Sequence, residues 1–419
     1  ERREWWLANG LGGYAAGTLS GTLTRRYHGL LIAPVNPPLG RILVFAKAET
    51  SLVDGNHSWP LYSNRWASGV IEPQGYVQIE SFKLDGRMPT WQFAIGDIIL
   101  DMRIWMEAGA NTSYIAYRLK RNLLNPERKL QLQIKLLINA RDHHGNTSSW
   151  TLNPLLETES NQLNVSFPDW FTAYFKTCGG VITKEHQWIE NFDLPLERER
   201  SLPERDEHLC VGQATLDLLP MEWVGITASL HSNASTDLDE AMKRFQSRDL
   251  ALLNTAKSGI PELKYAPEWI NQLILAADSF LFSRPLSDFP DGESIIAGYP
   301  WFGDWGRDTM IALPGITLST GRYSKAKNIL NTFARFVDKG MLPNMFPGKG
   351  EKPEYNTVDA ALWYIEAWRA YVEISRDEVA LKDVLSVLEE IIGWYEQGTR
   401  YQIHMDNKDG LIYAGEHGV

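Results

Sequence analysis

Apolar and polar residues alternate without interruption in LQLQIKL (residues 130–136). A side-chain period of two is typical of a β-strand with one buried face. Runs rich in β-branched and aromatic residues have the same character, and turns containing Gly, Asn or Pro separate them; they cover residues 76–84, 97–107 and 112–121. This spacing predicts a large antiparallel β-sandwich, which we assign to residues 1–233. The highly charged segment 187–207 predicts an exposed loop within it.

The pattern changes to a helical period after residue 233. Residues 234–262 are predicted to form a helical linker, with a helix over 238–253 and a stop at Gly259 and Pro261. Residues 263–419 then contain five predicted helices, at 266–282, 308–320, 326–336, 357–374 and 381–395. The helix at 308–320 is apolar on all sides, which predicts a buried inner helix with a kink at Pro314. Long connections at 283–303 and 340–356 are predicted to be functional.

The composition narrows the class of protein. A chain of 419 residues with a net charge of -11 and no basic block is a poor partner for nucleic acid or an anionic membrane. Only Cys178 and Cys210 occur, so we expect no disulfide framework and a reducing, cytoplasmic location. No apolar run approaches the roughly 18 residues of a membrane span. The sequence makes no prediction of an oligomeric state.

The segment YPWFGDWGRDT (residues 299–309) combines four aromatic rings with Asp304, Arg307 and Asp308. Aromatic faces stack on sugar rings, carboxylates and guanidinium groups hydrogen-bond hydroxyls, and a carboxyl group beside a glycosidic oxygen can donate a proton. A structural explanation also exists, since acidic residues are favoured in the first turn of any helix and the rings could belong to the core. We favour a carbohydrate subsite because alternating rings and charges are costly to bury without a polar ligand.

A second segment, NTVDAALWY (residues 356–364), also begins a predicted helix with an acid, Asp359, followed by the rings of Trp363 and Tyr364. Alone, it is explained nearly as well by an ordinary helix start. Together, the two segments predict two carboxylate-bearing helix starts at the mouth of one helical barrel.

Other chemistries find little support in the sequence. GLGGYA (residues 10–15) matches a loose dinucleotide-binding pattern, but no adequate strand is predicted before it, and residues 18–24 are predicted as strand rather than helix. RRYHGLL (residues 25–31) predicts a buried structural strand with His28 satisfied in the core. No metal-ligand spacing and no G-x-S-x-G element occur. We therefore expect no cofactor or metal, and we expect carboxylates to carry the chemistry.

The motifs resemble those of a known family. NGLGGY (residues 9–14) and RYHGLL (26–31) resemble the N-terminal domain of archaeal and bacterial glycogen-debranching enzymes. Residues 301–309, 343–344, 355–364, 409–411 and 415–416 resemble their C-terminal amylo-α-1,6-glucosidase domain, in matching order. The resemblance implies a β-sandwich followed by an (α/α)6 barrel. It also implies cleavage of α-1,6-linked glucose at the branch points of glycogen or limit dextrin, with inversion of configuration.

The resemblance also implies roles for individual residues. Asp308 becomes the general acid, with Asp304 as its rival. Contacts to the glucan are expected from Trp301, Phe302, Trp305, Arg307, Asn344, Tyr355, Asp359, Trp363 and Glu416.

The general base is expected elsewhere. An inverting glycosidase needs a second carboxylate about 6.5–9.5 Å from the acid. In the resembled family we expect it on a later helix, in a Trp-Met-Asp type motif, and this sequence ends at Val419 without one. We therefore expect a partial barrel, a base beyond residue 419 and a fragment inactive by itself. A glucoamylase-like hydrolase, a disaccharide phosphorylase and a non-catalytic glucan-binding fragment are the alternatives.

Overall fold

The computed structural model describes residues 1–36, 40–122, 129–346 and 352–416. The chain folds into two compact units, of which the first contains Gly40–Asp249 with the residues before Asn36, and the second begins at Leu250. The helix α2 (Leu238–Gly259) runs across this boundary. No helix in the described ranges combines the length and the apolar character needed to cross a membrane.

The first unit consists mainly of β-strands. They are β1 (Glu4–Ala8), β2 (Tyr14–Thr18), β3 (Gly29–Asn36), β4 (Gly40–Asp54), β5 (His57–Pro60), β6 (Ser63–Arg65), β7 (Ile71–Gln74), β8 (Ile79–Asp85), β9 (Met88–Ile95), β10 (Ile98–Met106), β11 (Thr112–Asn122), β12 (Leu130–Asp142), β13 (Leu155–Glu159), β14 (Gln162–Phe167), β15 (Phe171–Cys178), β16 (Gly180–Asp193), β17 (Arg205–Leu218) and β18 (Trp223–Ser229). One short helix, α1 (Pro195–Arg198), lies between β16 and β17.

All of these strands except β6 and β7, which pair with each other, form two large sheets with a shared core. The first sheet has the order β1-β2-β3-β4-β12-β17-β16 with β5 beside β4, and the second has the order β13-β14-β15-β18-β11-β10-β9-β8. Strand β12 confirms the predicted alternation, since Leu130, Leu132, Ile134 and Leu136 are buried, and it pairs antiparallel with both β4 and β17. The rings of Phe45 and Phe175, one from each sheet, meet edge to face at 5.0 Å.

The prediction of an exposed loop at residues 187–207 was wrong. Strand β16 continues to Asp193, helix α1 follows, and β17 begins at Arg205. Two of the charges in this segment are buried in ion pairs instead. Asp193 is buried against Arg65 at 2.8 Å, and Glu197 is buried against Arg26 at 3.3 Å. Buried charges of this kind persist only when they are paired.

The N-terminal segment also differs from its prediction. Strand β1 does precede residues 10–15, but it pairs antiparallel with β2 in a hairpin, which is not the β-α-β context of a nucleotide site. The strand predicted over 18–24 ends at Thr18, and the strand predicted over 25–31 begins only at Gly29, after a turn.

His28 has the structural role that the sequence predicted. It is buried, and its Nδ1 accepts a hydrogen bond from the Thr24 amide at 3.1 Å. Its Nε2, 2.9 Å from Glu4 Oε1, therefore carries the proton. Burial opposes ionisation of Glu4, but hydrogen bonds from His28 and Arg25 lower the pKa of this carboxyl to about 2.

Helices dominate the second unit. Helix α2 (Leu238–Gly259) leads into α3 (Trp269–Ser279), α4 (Gly306–Ile316), α5 (Tyr323–Ala334), α6 (Ala360–Ser375) and α7 (Glu378–Gln397). Two small hairpins accompany them, β19 (Leu281–Ser283) with β20 (Glu293–Ile295) and β21 (His404–Met405) with β22 (Ile412–Tyr413). All five predicted helices are present. Helix α3 is shorter than predicted because residues 281–283 pair with β20 instead of continuing the helix.

Candidate active site

Backbone hydrogen bonds join the start of α4 to the long loop before α6. Trp305 is extended, with φ -121° and ψ 132°, and forms an isolated β-bridge with Met345, which in turn bridges Glu354. The Gly306 amide donates to the carbonyl oxygen of Asn344 at 2.9 Å. The two segments that the sequence marked as functional, 299–309 and 340–356, are therefore in direct contact. Residues 347–351 of that loop lie outside the described residues.

Gly306 makes this contact possible because it has no side chain. A Cβ atom built on it would overlap the carbonyl oxygen of Pro343. A backbone atom cannot move aside as the end of a side chain can, so the start of α4 and the loop fit only with glycine at this position.

We therefore expect Gly306→Ala to destabilise the second unit, with a lower Tm. Gly315, on the exposed side of the same helix, is the matched control, since a Cβ there meets nothing within 4 Å. Gly315→Ala should raise the free energy of unfolding by about 0.5–1 kcal/mol, as glycine is unfavourable within a helix. Thermal denaturation of the two variants tests this. Equal Tm changes would contradict a close fit at Gly306.

Asp308 is the third residue of α4, and its side chain is exposed. Within the described ranges it takes part in no ion pair and in no side-chain hydrogen bond. It borders a depression whose wall is largely apolar and includes Phe280, Ile296, Ala297 and Ile311. The apolar segment 294–298 lies within the connection 283–303 that the sequence predicted to be functional, and it directly precedes the aromatic motif.

The face of α4 that carries Asp308 contradicts one expectation. Ile311, one turn further along, is 50% exposed, whereas Met310 and Leu313 are buried. Helix α4 is thus buried on one side only in this chain. The prediction of an inner helix covered all round was wrong for the side that presents Asp308.

Asp304 has the opposite environment. It is fully buried and forms an ion pair with Arg284, at 2.9 Å between Asp304 Oδ2 and Arg284 Nη1. The contact lacks the alignment of a hydrogen bond. The guanidinium of Arg284 also lies over the ring of Phe346, 4.3 Å from its centroid. Arg284 was not among the predicted site residues, and its only signal in the sequence was its place in the long connection 283–303.

An ion pair connects the starts of α4 and α6. Arg307 Nη1 lies 3.5 Å from Asp359 Oδ1, and Asp359 is the residue just before the first turn of α6. The Thr357 hydroxyl also donates to Asp359, at 2.6 Å. Both members of the pair are substantially exposed, and such pairs contribute only about 0–1 kcal/mol to stability. Its main effect is to bring a cation and an anion together beside α4.

Tyr395 holds the backbone just before α6 by a hydrogen bond. Its hydroxyl donates to the carbonyl oxygen of Val358 at 2.5 Å. Burial, and then the charge of Asp359, raise the pKa of the Tyr395 phenol. It remains a neutral hydrogen-bond donor throughout the physiological range.

The aromatic residues of the site divide into exposed and supporting rings. Phe302 and Trp363 are 47% and 40% exposed, whereas Trp301 and Trp305 are half-buried. Phe302 meets Trp305 edge to face at 5.9 Å. Tyr355 is tied into the structure, since its hydroxyl donates to the carbonyl oxygen of Phe336 at 2.8 Å and Arg400 lies over its ring.

Two further predicted residues have distinct positions. The side-chain oxygen of Asn344 is buried, and no donor in the described part of the chain reaches it, so it is an unused acceptor beside the start of α4. Glu416 is exposed and accepts a hydrogen bond from Gln402 at 2.6 Å, while its amide donates to Tyr401. These contacts attach Glu416 to its neighbours at 401–402, not to the residues around Asp308. No group of three or more His, Cys, Asp or Glu residues among those described could hold a metal ion.

A sandwich of antiparallel sheets followed by a helical unit, with carboxylates and exposed rings at two adjoining helix starts, is consistent with a carbohydrate-processing class. Comparison with protein families makes the class specific. Residues 3–225 match the family described as "Glycogen debranching enzyme N terminal", and residues 275–419 match "Amylo-alpha-1,6-glucosidase". The chain belongs to the glycogen debranching enzyme family.

An individual relative matches a smaller part of the chain than the family models do. A glycogen debranching enzyme of Saccharomyces cerevisiae is 39% identical over 89 residues, which are 20% of this chain and 6% of the yeast protein. The match thus spans only a small part of that relative's length.

Two solved structures can be superimposed on most of the chain. A bacterial glucoamylase complexed with acarbose has a TM-score of 0.44 and 10% identity, over 94% of this chain and 68% of its own. A putative kojibiose phosphorylase from the human microbiome has a TM-score of 0.48 and 12% identity, over 93% of this chain and 56% of its own. Similarity at these TM-scores assigns no function.

Proposed function

We propose that this protein contributes the acid-bearing part of a glycoside hydrolase that removes α-1,6-linked glucose at the branch points of glycogen or a related α-glucan, with inversion. The observation that carries the proposal is the exposed Asp308 carboxyl, free of ion pairs in the described residues, at the start of α4. The Arg307–Asp359 pair joins this helix start to that of α6, and Phe302 and Trp363, which belong to the same two segments, have exposed rings. Membership of the glycogen debranching enzyme family supports an α-glucan as the substrate.

In the proposed reaction, Asp308 protonates the glycosidic oxygen as the bond to the anomeric carbon breaks. Asp304 is excluded from this role in the proposal, because a buried carboxylate held against Arg284 has no access to a substrate. We further propose that helices α3–α7 form part of an (α/α)6 barrel, with the starts of α4 and α6 at its mouth. The proposal assigns no base, since Asp359 is held by Arg307 and Thr357, and Glu416 is held by Gln402.

Substrate contacts follow from the same arrangement. Arg307 and Asp359 offer donors and acceptors to the hydroxyls of one glucose unit. Phe302 and Trp363 offer exposed ring faces to its apolar side. Both pairs are accessible without unfolding of any element.

Trp363→Ala is expected to weaken binding of a branched dextrin about tenfold, equivalent to ~1.4 kcal/mol, with no change in Tm. The reason is that a partly exposed ring contributes contact area to a ligand but little to the core. Titration calorimetry with the limit dextrin measures the effect. Trp150→Ala is the matched control, since Trp150 is 81% exposed on the first unit. A similar loss of affinity in both variants would contradict a specific contact at Trp363.

The test of the proposed function is release of glucose from a phosphorylase-limit dextrin by the full-length protein, followed by NMR of the anomeric proton. Hydrolysis with inversion produces β-glucose first. A requirement for inorganic phosphate would assign a phosphorylase instead, and activity on linear chains alone would assign a glucoamylase-like hydrolase. Binding of the dextrin with no release of glucose would leave a glucan-binding protein.

A further inference from the structure

The first unit contains a cavity between its two sheets. Its walls come from both sheets and include the aromatic rings of Trp5, Trp91, Phe93 and Tyr117. The empty space amounts to about 670 Å³ with its open mouth included. Interiors of sandwiches are normally filled by interdigitating side chains. A largely apolar hollow with a few polar groups has the character of a small-molecule site.

Five hydroxyl groups in the wall, those of Thr18, Ser20, Thr22, Thr50 and Tyr117, are already hydrogen-bonded within the wall. Thr18 donates to the carbonyl oxygen of Thr22 at 2.7 Å, and the hydroxyls of Ser20 and Thr22 are 2.9 Å apart. On the opposite side, the hydroxyls of Thr50 and Tyr117 bond to each other at 2.7 Å. A ligand therefore meets these groups as a mainly apolar surface. This argues against a sugar, whose many hydroxyls need partners of their own.

The indole of Trp91 is satisfied in the same way. Its Nε1 donates to the carbonyl oxygen of Leu19 at 2.9 Å, so its ring alone is presented to the cavity.

Lys47 differs from these neutral groups of the wall because it carries a charge. It is 5% exposed, and its ammonium donates to the carbonyl oxygen of Ser63 and to Asn64 Oδ1, each at 2.5 Å. An ammonium has three protons, and among the described residues no hydrogen bond from the third is seen, although the ring centroid of Tyr62 lies 5.8 Å from the nitrogen. Burial lowers the pKa of Lys47 to about 8, against the opposing charge of Glu49, so the amine is still mostly protonated at neutral pH.

We propose that this cavity binds a small amphipathic anion, with one ring or a short alkyl chain against the aromatic wall and a carboxylate-type head on Lys47. The cavity lies wholly within the first unit, and its residues are not those of the proposed glucan site. Binding here does not depend on the hydrolase proposal, and failure of either proposal leaves the other intact.

Titration calorimetry of the full chain with octanoate, and with 1-octanol as its neutral counterpart, tests the proposal. We expect octanoate to bind at one site per chain and more tightly than 1-octanol. Lys47→Met should reduce the affinity for octanoate at least tenfold and change that for 1-octanol less than twofold. Lys83→Met, which removes an exposed lysine from β8 of the same unit, should change neither. Absence of saturable octanoate binding would overturn the proposal, as would equal loss in the Lys47 and Lys83 variants.

Lys47→Met leaves Glu49 without its cation and could misfold for that reason. A second variant therefore tests the same cavity independently. Ala48 also borders the cavity, and Ala48→Leu places extra carbon atoms in the empty space. We expect it to abolish binding of both octanoate and 1-octanol without lowering the Tm. Undiminished octanoate binding by a folded Ala48→Leu variant would place the ligand elsewhere and overturn the proposal.

Discussion

Asp308→Asn is expected to lower kcat for glucose release from a branched dextrin by about 10²–10⁴-fold, the usual contribution of a positioned general acid. Asparagine has nearly the shape of aspartate but cannot supply the proton. Because Asp308 is exposed and forms no ion pair in the described part of the chain, its only structural contribution is as an acid in the first turn of α4. Loss of that charge costs about 0.3–1 kcal/mol, so the Tm should change little.

The measurement is a kinetic comparison of the full-length protein and its Asp308→Asn variant on the limit dextrin. A substrate with an activated leaving group, such as an α-glucosyl fluoride, provides the control, because fluoride departs with little need for an acid. The variant should lose far less activity on the fluoride than on the dextrin. Equal losses on the two substrates would contradict a role for Asp308 as the general acid, and retention of activity on the dextrin would do so directly.

The sequence contained enough information to locate the helices and the core strand, because these depend on local periodicity. Alternation in residues 130–136 corresponds directly to the buried face of β12, and the helical spacing at 381–395 falls within α7. Segment 187–207 could not be assigned in the same way. Two of its buried carboxylates are paired with residues far away in sequence, Asp193 with Arg65 and Glu197 with Arg26, and no local pattern reveals these pairings.

The same limit applies to the two carboxylates of the aromatic motif. Asp304 and Asp308 are four residues apart and chemically identical, so the sequence alone left both as candidates for the acid. What separates them in the structure is Arg284, which comes from the β19–β20 hairpin and buries Asp304 in an ion pair. The exposure of one side of α4 could not be predicted either. An apolar helix sequence gives no information on how much of the helix surface is covered by neighbouring elements.

Asp304→Asn is expected to destabilise the second unit by about 3–5 kcal/mol, the usual cost of breaking a buried ion pair at one partner. The variant leaves the guanidinium of Arg284 buried at 8% side-chain exposure with its charge uncompensated. Its contact with the ring of Phe346 offsets only part of that penalty. Asp304→Asn should therefore lower the stability, whereas Asp308→Asn should lower kcat.

Hydrogen–deuterium exchange, together with a double-mutant cycle, tests whether the change at Asp304 acts on stability through the ion pair with Arg284. In Asp304→Asn, peptides from α4 and from the β19–β20 hairpin should lose protection, while peptides from the two large sheets of the first unit should not. Removing both charges in Arg284→Met/Asp304→Asn, compared with Arg284→Met and Asp304→Asn alone, should recover part of the stability, since no unpaired charge then stays buried. If the two single changes simply add in the double variant, the ion pair does not couple these residues. The exclusion of Asp304 as the acid would then rest on its burial alone.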